Sequence, residues 1–354
     1  MSSSKPIPTR ISASTNAVSP VTATVLMLAV TLVLSTVLLA LVLAMVDDGS
    51  DNGNGTASLP TGSGTSEDPY LIRSLDDMLT MMDDREGHYA LAADIDATST
   101  RFINDGDGFE PMFPFGSSFG GSFDGRQYII TGLYINRPNT NQVGLFGVIG
   151  GGATITNITL VDADITGRDR VGGIAGRSTG TIDNCHVSGS VAGANEVGGL
   201  LGVNWNVVTR SSSEAQVTAT GDMVGGLIGN ARTGSGNTVS NSYATGQVSG
   251  AEKVGGLIGQ NGLVGSAGPA DVINCYSTGS VSGTVAGGLI GANGGIVSSS
   301  FWDTTASGMG SSAAGTGIGT AAMKSPGTFT SAGWSESTWL LQSGQYPELK
   351  VKMA

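Results

Sequence analysis

The chain has 354 residues, a net charge of −12 and 57 glycines against 11 prolines. No strict third-position glycine runs through it, which excludes collagen, and the 39% apolar share recurs in order, which sets it apart from disordered chains. Its 28 acidic and 16 basic residues leave no cationic footprint, so no nucleic-acid partner is expected; an acidic surface also suits high salt, and a halophilic source is expected.

The first predicted element follows a short leader, residues 1–17. Residues 18–46 read "VSPVTATVLMLAVTLVLSTVLLALVLAMV" and carry no charge between Val21 and Val46. At 1.5 Å per residue such a helix reaches about 39 Å, enough to cross a bilayer with some tilt. Lys5 and Arg10 precede it, and Asp47 and Asp48 follow it. The positive-inside rule then puts the leader in the cytoplasm and the rest outside, at the cell membrane or surface. "NAVSPVTATVLMLAVTLVLS" resembles the N-terminus of archaeal type IV pilins. That resemblance implies leader removal near Ala17 or Val18, and a helix that bundles with other pilin subunits or stays in the membrane. Asn16 departs from the basic residue usual before the cut. Residues 47–66 read as a Gly/Ser/Asn linker, with a candidate glycosylation sequon at Asn54.

Residues 67–142 are expected to hold an N-terminal cap and the first coils. "SLDDMLTMMDD" at 74–84 predicts a short amphipathic helix with Ser74 as N-cap and Asp77 at capping-box spacing. Leu75, Met78, Leu79 and Met82 would share its buried face. "INDGDGFE" at 103–110 offers Asp105 and Asp107 as oxygen donors for Ca²⁺. It lacks the closing Glu and glycine spacing of an EF-hand, which favours an ordinary polar loop.

From 143 to 308 one phrase recurs: "VGLFG", "VGGIAG", "VGGLLG", "VGGLIG" twice, and "AGGLIG". Its closing glycines stand at 147, 176, 202, 229, 259 and 291. A period of this size means a solenoid, a propeller or an array. Glycine at this density rules out helical repeats, and propeller blades need more strands and length than one unit supplies. Each unit reads as three short strands, as in "VGGIAG", "TIDNCHV" and "SVAG", with insertions at 230–238 and 260–271 between the first two. Like residues should then stack coil upon coil. One column holds Asn157, Asn184, Arg210, Asn241, Asn274 and Ser299; the next holds Ile158, Cys185, Ser211, Ser242, Cys275 and Ser300. The two cysteines fall three coils apart, about 14 Å at strand spacing, beyond the reach of a disulfide.

These phrases resemble the GLUG-motif repeat. "GSFDGRQYIITGLYINRP" resembles the first coil of pectin-lyase-like right-handed β-helices, and "SFWDTTASG" through "QYPELK" resembles the usual ending. The resemblance implies a mainly β fold: a single-stranded right-handed parallel β-helix with a short N-terminal capping helix, preceded by one hydrophobic transmembrane or pilin-type helix. It implies surface-exposed or secreted, often adhesin-like proteins and accessory regions of IgA-cleaving metallopeptidases, with no catalysis of its own. Residues 309–354, with Trp334 and Trp339, should close the far end.

Catalytic chemistry finds little footing. HExxH is absent; of the two histidines, His186 reads as a surface side chain of a coil and His88 as preceding a strand. Asp162 and Asp164 share a strand face but no acid stacks on them in the next coil. Trp205 and Trp302 are candidate sugar platforms, or packing residues at a turn and at the cap. No catalytic, cofactor or metal residue is assigned beyond Asp105 and Asp107. The chain reads as a non-enzymatic, adhesin-like or pilin-like surface protein whose partners are the membrane through 18–46 and glycans, cell surfaces or other subunits. The alternative is a carbohydrate-active β-helix enzyme, a polysaccharide lyase or glycosidase.

Overall fold

The computed structural model describes residues 60–232, 236–262 and 269–350. The chain divides into two compact units, Met1–Ala57 and Ser58–Ala354, and all described residues belong to the second. Ala17, Val18, the hydrophobic segment 18–46 and Asn54 lie outside the described residues. Among the described residues no helix is long and apolar enough to cross a membrane.

One coil shows how the shaft is built. Asp169–Val171, Ala175–Ser178, Thr181–Asp183 and His186–Gly193 are successive strands. Each pairs in parallel with its counterpart in the next coil: Val171 with Val197, Ala175 with Leu201, Ile182 with Val208, Val191 with Val217. Repetition produces parallel sheets of five, six, nine and thirteen strands around one aliphatic core. The nine-stranded sheet begins at Tyr70–Ile72, so the shaft starts well before the first repeat.

This coil has four strands where the sequence predicts three, and in the next coil the last of them divides into Ser212–Ser213 and Gln216–Ala219. The phrase "VGGIAG" bends at its glycine pair, so Val171 and Ala175 lie in different sheets. The inserted segments also start later than predicted. Ile228–Ala231 and Ile258–Asn261 are strands, so Asn230 and Gln260 belong to the sheet.

Two corner columns carry left-handed backbone without glycine. The predicted column, Asn157, Asn184, Arg210, Asn241, Asn274 and Ser299, has φ between 45° and 57° throughout. Asn tolerates this region best because its short amide bonds locally. The Asn184 amide donates to Asn157 Oδ1 at 2.7 Å, and Asn157 donates to Asp124 at 2.7 Å. A second column, Gln142, Arg170, Glu196, Met223 and Lys253, has φ of 53–62°. It explains the closing glycines. A Cβ on Gly176, Gly202, Gly229, Gly259 or Gly291 would stand 2.4–2.6 Å from the backbone at or beside the second-column residue of an earlier coil.

The small-residue column faces inward and is buried from Ile158 to Ser300. It forms a polar ladder inside the apolar shaft. Ser211, Ser242 and Ser300 each donate 2.8 Å hydrogen bonds to the carbonyl two residues back. Each hydroxyl also accepts a 3.1 Å bond from the backbone N–H of the preceding coil. Every hydroxyl so placed is paired, which removes the cost of burying it. Cys185 and Cys275 are free, with Ser211 and Ser242 between them in the column.

The N-terminal helix, α1 (Leu75–Thr80), starts as predicted: Ser74 Oγ accepts from the Asp77 N–H at 3.1 Å. Its buried face differs. Leu75, Met78 and Met81 pack on the core, whereas Leu79 and Met82 are exposed. The helix passes after six residues into a 3₁₀ turn, Met81–Asp83, whose three-residue period carries Met81 inward in place of Met82.

The C-terminal segment also departs from expectation. Trp334 and Trp339 do not plug the end of the shaft. They lie on its flank, in a second core with Tyr276, Phe301, Met323 and Phe329. Trp339 reaches back to donate to Asn241 Oδ1 at 3.3 Å. Trp302 does the plugging: it belongs to the shaft core, against Gly288, and its indole N–H donates to the Met309 carbonyl at 3.0 Å.

Candidate binding surfaces

The flank beside the aromatic cap forms a groove of about 380 Å³, lined by Asn184, His186, Arg210, Ser212, Tyr243 and Leu349 among others. Its floor is the outward column of the thirteen-stranded sheet, in which His186, Ser212, Tyr243 and Tyr276 succeed one another. His186 Nδ1 and Ser212 Oγ are 2.9 Å apart. Burial holds the His186 imidazole below its usual range, with Glu214 opposing weakly, so it is neutral at pH 7. Arg210 is committed to Asp183 through two hydrogen bonds. Among the described residues no carboxylate lines this groove, which presents amide, hydroxyl, imidazole, guanidinium and aromatic groups.

Tyr243 and Tyr276 stack with ring centres 4.9 Å apart, and the cap covers Tyr276. Trp302, one of the two candidate sugar platforms, is 6% exposed and packs inside the end of the shaft. Trp205 is half-buried with the guanidinium groups of Arg177 and Arg232 at 4.1 and 5.4 Å from its ring. These come from the coils before and after its own, so the ring packs between neighbouring coils.

Asp105 and Asp107 lie exposed on a tight turn closed by its own hydrogen bonds, including Asn104 Nδ2 to the Gly108 carbonyl at 2.8 Å. Among the described residues no three His, Cys, Asp or Glu side chains gather to hold a metal ion. Asp162 and Asp164 do not form a working pair. Asp162 sits exposed with φ 54°, which breaks the strand's alternation, and Asp164 is bound by Arg101 at 3.0 Å and Ser190 at 3.1 Å. His88 contacts Ser122 at 2.7 Å, the same arrangement as His186 with Ser212.

The second left-handed column is the feature that sequence reasoning missed. Glu196, 5% exposed, accepts from Arg170 at 2.9 Å, Arg232 at 2.5 Å and Asn230 at 2.7 Å. Burial alone would raise its carboxyl pKa; the three hydrogen bonds outweigh burial and leave it below the usual range. Arg177 nearby is held below its usual range by burial first, then by Arg170 and Arg232. The readable signal was the residue before each Val-Gly: Gln, Arg, Glu, Met and Lys, never β-branched.

Comparison with known proteins agrees with this architecture. The GLUG motif matches residues 167–192. Halomucin of Haloquadratum walsbyi is 39% identical over 173 residues, which is 46% of this chain and 2% of halomucin. A provisionally named Gly-rich membrane protein of Evansella cellulosilytica is 32% identical over 398 aligned positions, covering 81% of this chain and 45% of that protein. The chain thus spans less than half the length of the curated relatives it matches. A provisionally named immunoglobulin A1 protease from Bacteroides ovatus shares the fold, with TM-score 0.63, 23% identity, and coverage of 82% of this chain and 95% of that one. The chain carries the GLUG motif on a parallel β-solenoid of the kind seen in that structure.

Proposed function

We propose that this chain is a non-enzymatic, adhesin-like display protein whose solenoid stands outside the cell membrane and binds glycans along its flank. The observation that carries the reading is the groove itself. It is a concave strip of amide, hydroxyl, imidazole and guanidinium groups beside the half-buried ring of Tyr243, and no carboxylate stands among its described lining residues. Such a surface suits neutral polyols, whose hydroxyls both donate and accept. The membrane reading draws support from residues 18–46 and from the name of the Evansella relative. The pilin-like reading is tested by sequencing the mature N-terminus: a start at Ala17 or Val18 supports it, and an intact Met1 or Ser2 rejects it. For location, protease added to intact cells should release fragments of 67–354; full protection would reject surface display. A glycan array probed with the detergent-solubilised full chain should give binding that Tyr243→Ala and Asn184→Ala abolish. The enzymatic alternative requires product release from polysaccharides that is lost in Asp162→Asn or Asp164→Asn.

A further inference from the structure

A second pocket opens at the opposite corner, where the six-stranded sheet meets the left-handed column of Glu196. Its volume is about 350 Å³, within the range of small-ligand sites. Trp205, Met223, Asn230, Arg232, Lys253 and Gln260 line it. The column following the closing glycines supplies Asn230 and Gln260, paired neighbours in successive coils.

Two features mark it. The first is unsatisfied polarity. Asn230 is 3% exposed, and its Oδ1 finds no hydrogen-bond partner among the described residues; the same holds for Arg232 Nε. Leaving such a buried group unpaired costs about 1–3 kcal/mol, so native proteins seldom do it without a reason. The second is charge. Glu196 is one carboxylate serving two guanidinium groups, Arg170 and Arg232, while Arg177 and Lys253 make no ion pair among the described residues. The neighbouring acids form a separate ladder: Asn195 donates to Asp169, and Asp222 accepts from the Glu252 N–H. In a chain of net charge −12, the described lining of this pocket holds two cations, Arg232 and Lys253, and no carboxylate, which is a local cationic surplus.

We infer that this pocket binds a carboxylated sugar, a single uronic acid unit of an acidic glycan. Arg232 and Lys253 take the carboxylate, and Asn230 Oδ1 with the Gln260 amide takes ring hydroxyls. A simple anion would leave the Asn230 acceptor unpaired, and a neutral sugar would leave the cationic surplus unanswered. The inference deepens the surface-glycan reading and rests on it for the ligand's source.

The test is calorimetric titration of the detergent-solubilised full chain with glucuronate, glucose and acetate. It is run at the lowest salt that preserves the β-sheet circular dichroism. Glucuronate should bind at least about ten-fold more tightly than either control, as a charge-assisted hydrogen bond allows. Lys253→Gln and Gln260→Ala should each weaken it several-fold. Both variants keep the fold, since Gln142 and Ala292 occupy those columns in other coils. Arg232→Gln should weaken it most. Equal affinity for acetate, equal affinity for glucose, unchanged binding in Lys253→Gln and Gln260→Ala, or no heat with glucuronate, when ordered water alone satisfies the orphaned atoms, would each overturn it. Cell-surface proteolysis reads location separately, so a protected chain that binds glucuronate sinks only the display reading, and an accessible chain that does not bind sinks only this pocket.

Discussion

Each closing glycine is required by a backbone one coil away. Gly229 shows it: a Cβ would meet the Glu196 carbonyl carbon and the Val197 nitrogen at 2.6 Å, and neither can step aside without opening the corner. Gly229→Ala should therefore lower unfolding stability by about 1–3 kcal/mol. Gly151→Ala is the control; no atom lies within 4 Å of its would-be Cβ, and its φ is not in the left-handed region. It should be neutral or stabilising by about 0.4–1 kcal/mol, read in urea denaturation. The two cysteines make a different residue-scale statement. Complete burial pushes both thiols up to about 12. Between roughly pH 8.5 and that value, the folded state holds two protons that the unfolded chain has released, so stability falls as pH rises through the window. Iodoacetamide at pH 8 should label neither cysteine in the folded chain and both in denaturant; labelling of the native protein would contradict the inward column.

The corner columns and the cap belong to the element scale. The Asn column was legible because Asn holds four of its six places, each just before the third strand run. The Gln142-to-Lys253 column was not, because its side chains differ while its backbone is the same. The cap was misplaced for a physical reason. Trp302 already fills the shaft's end, so the aromatic groups of 309–350 bury themselves on Tyr243, Tyr276 and Phe301 instead. Trp339 contacts Trp334 at 4.4 Å and Tyr276 at 6.0 Å between ring centres. Trp339→Ala should cost about 3–5 kcal/mol. Because solenoid units contact chiefly their neighbours, that loss should appear as early proteolysis within 309–350 while the middle coils stay protected. Simultaneous cleavage throughout would show one cooperative unit. Asp303 anchors the same region, accepting from Thr305, Ala306, Thr320 and Tyr346 at 2.7–3.0 Å. Burial would raise its carboxyl, but these bonds hold it below the usual range. The stability it contributes is present above its unfolded value and lost as pH falls through the folded one, so cap proteolysis should accelerate in acid, and Asp303→Asn should flatten that dependence.

At the scale of the whole molecule, net charge governs behaviour. A surplus of 12 negative charges on a chain with six ion pairs among its described residues repels itself in dilute buffer. Raising NaCl from 0.1 to 2 M shortens the screening length to a few ångströms and should raise the thermal midpoint by several degrees. A midpoint that falls with salt would reject the expectation of a halophilic protein. Calorimetric binding of glucuronate should weaken over the same range, because salt screens the charges of Arg232 and Lys253 that line the pocket.

The period, the strand character, the inward small column and the capping serine were determined by the sequence alone, because each is a local rule repeated in register. The tertiary structure decided what depends on neighbours from other coils. It set which end Trp302 plugs, where the cap lies, why closing glycines are obligatory, and how Arg170, Glu196, Asn230 and Arg232 meet. Arg170, Glu196 and the Asn230–Arg232 pair are 26 to 62 positions apart in the chain and become neighbours only because each coil returns the backbone to the same corner.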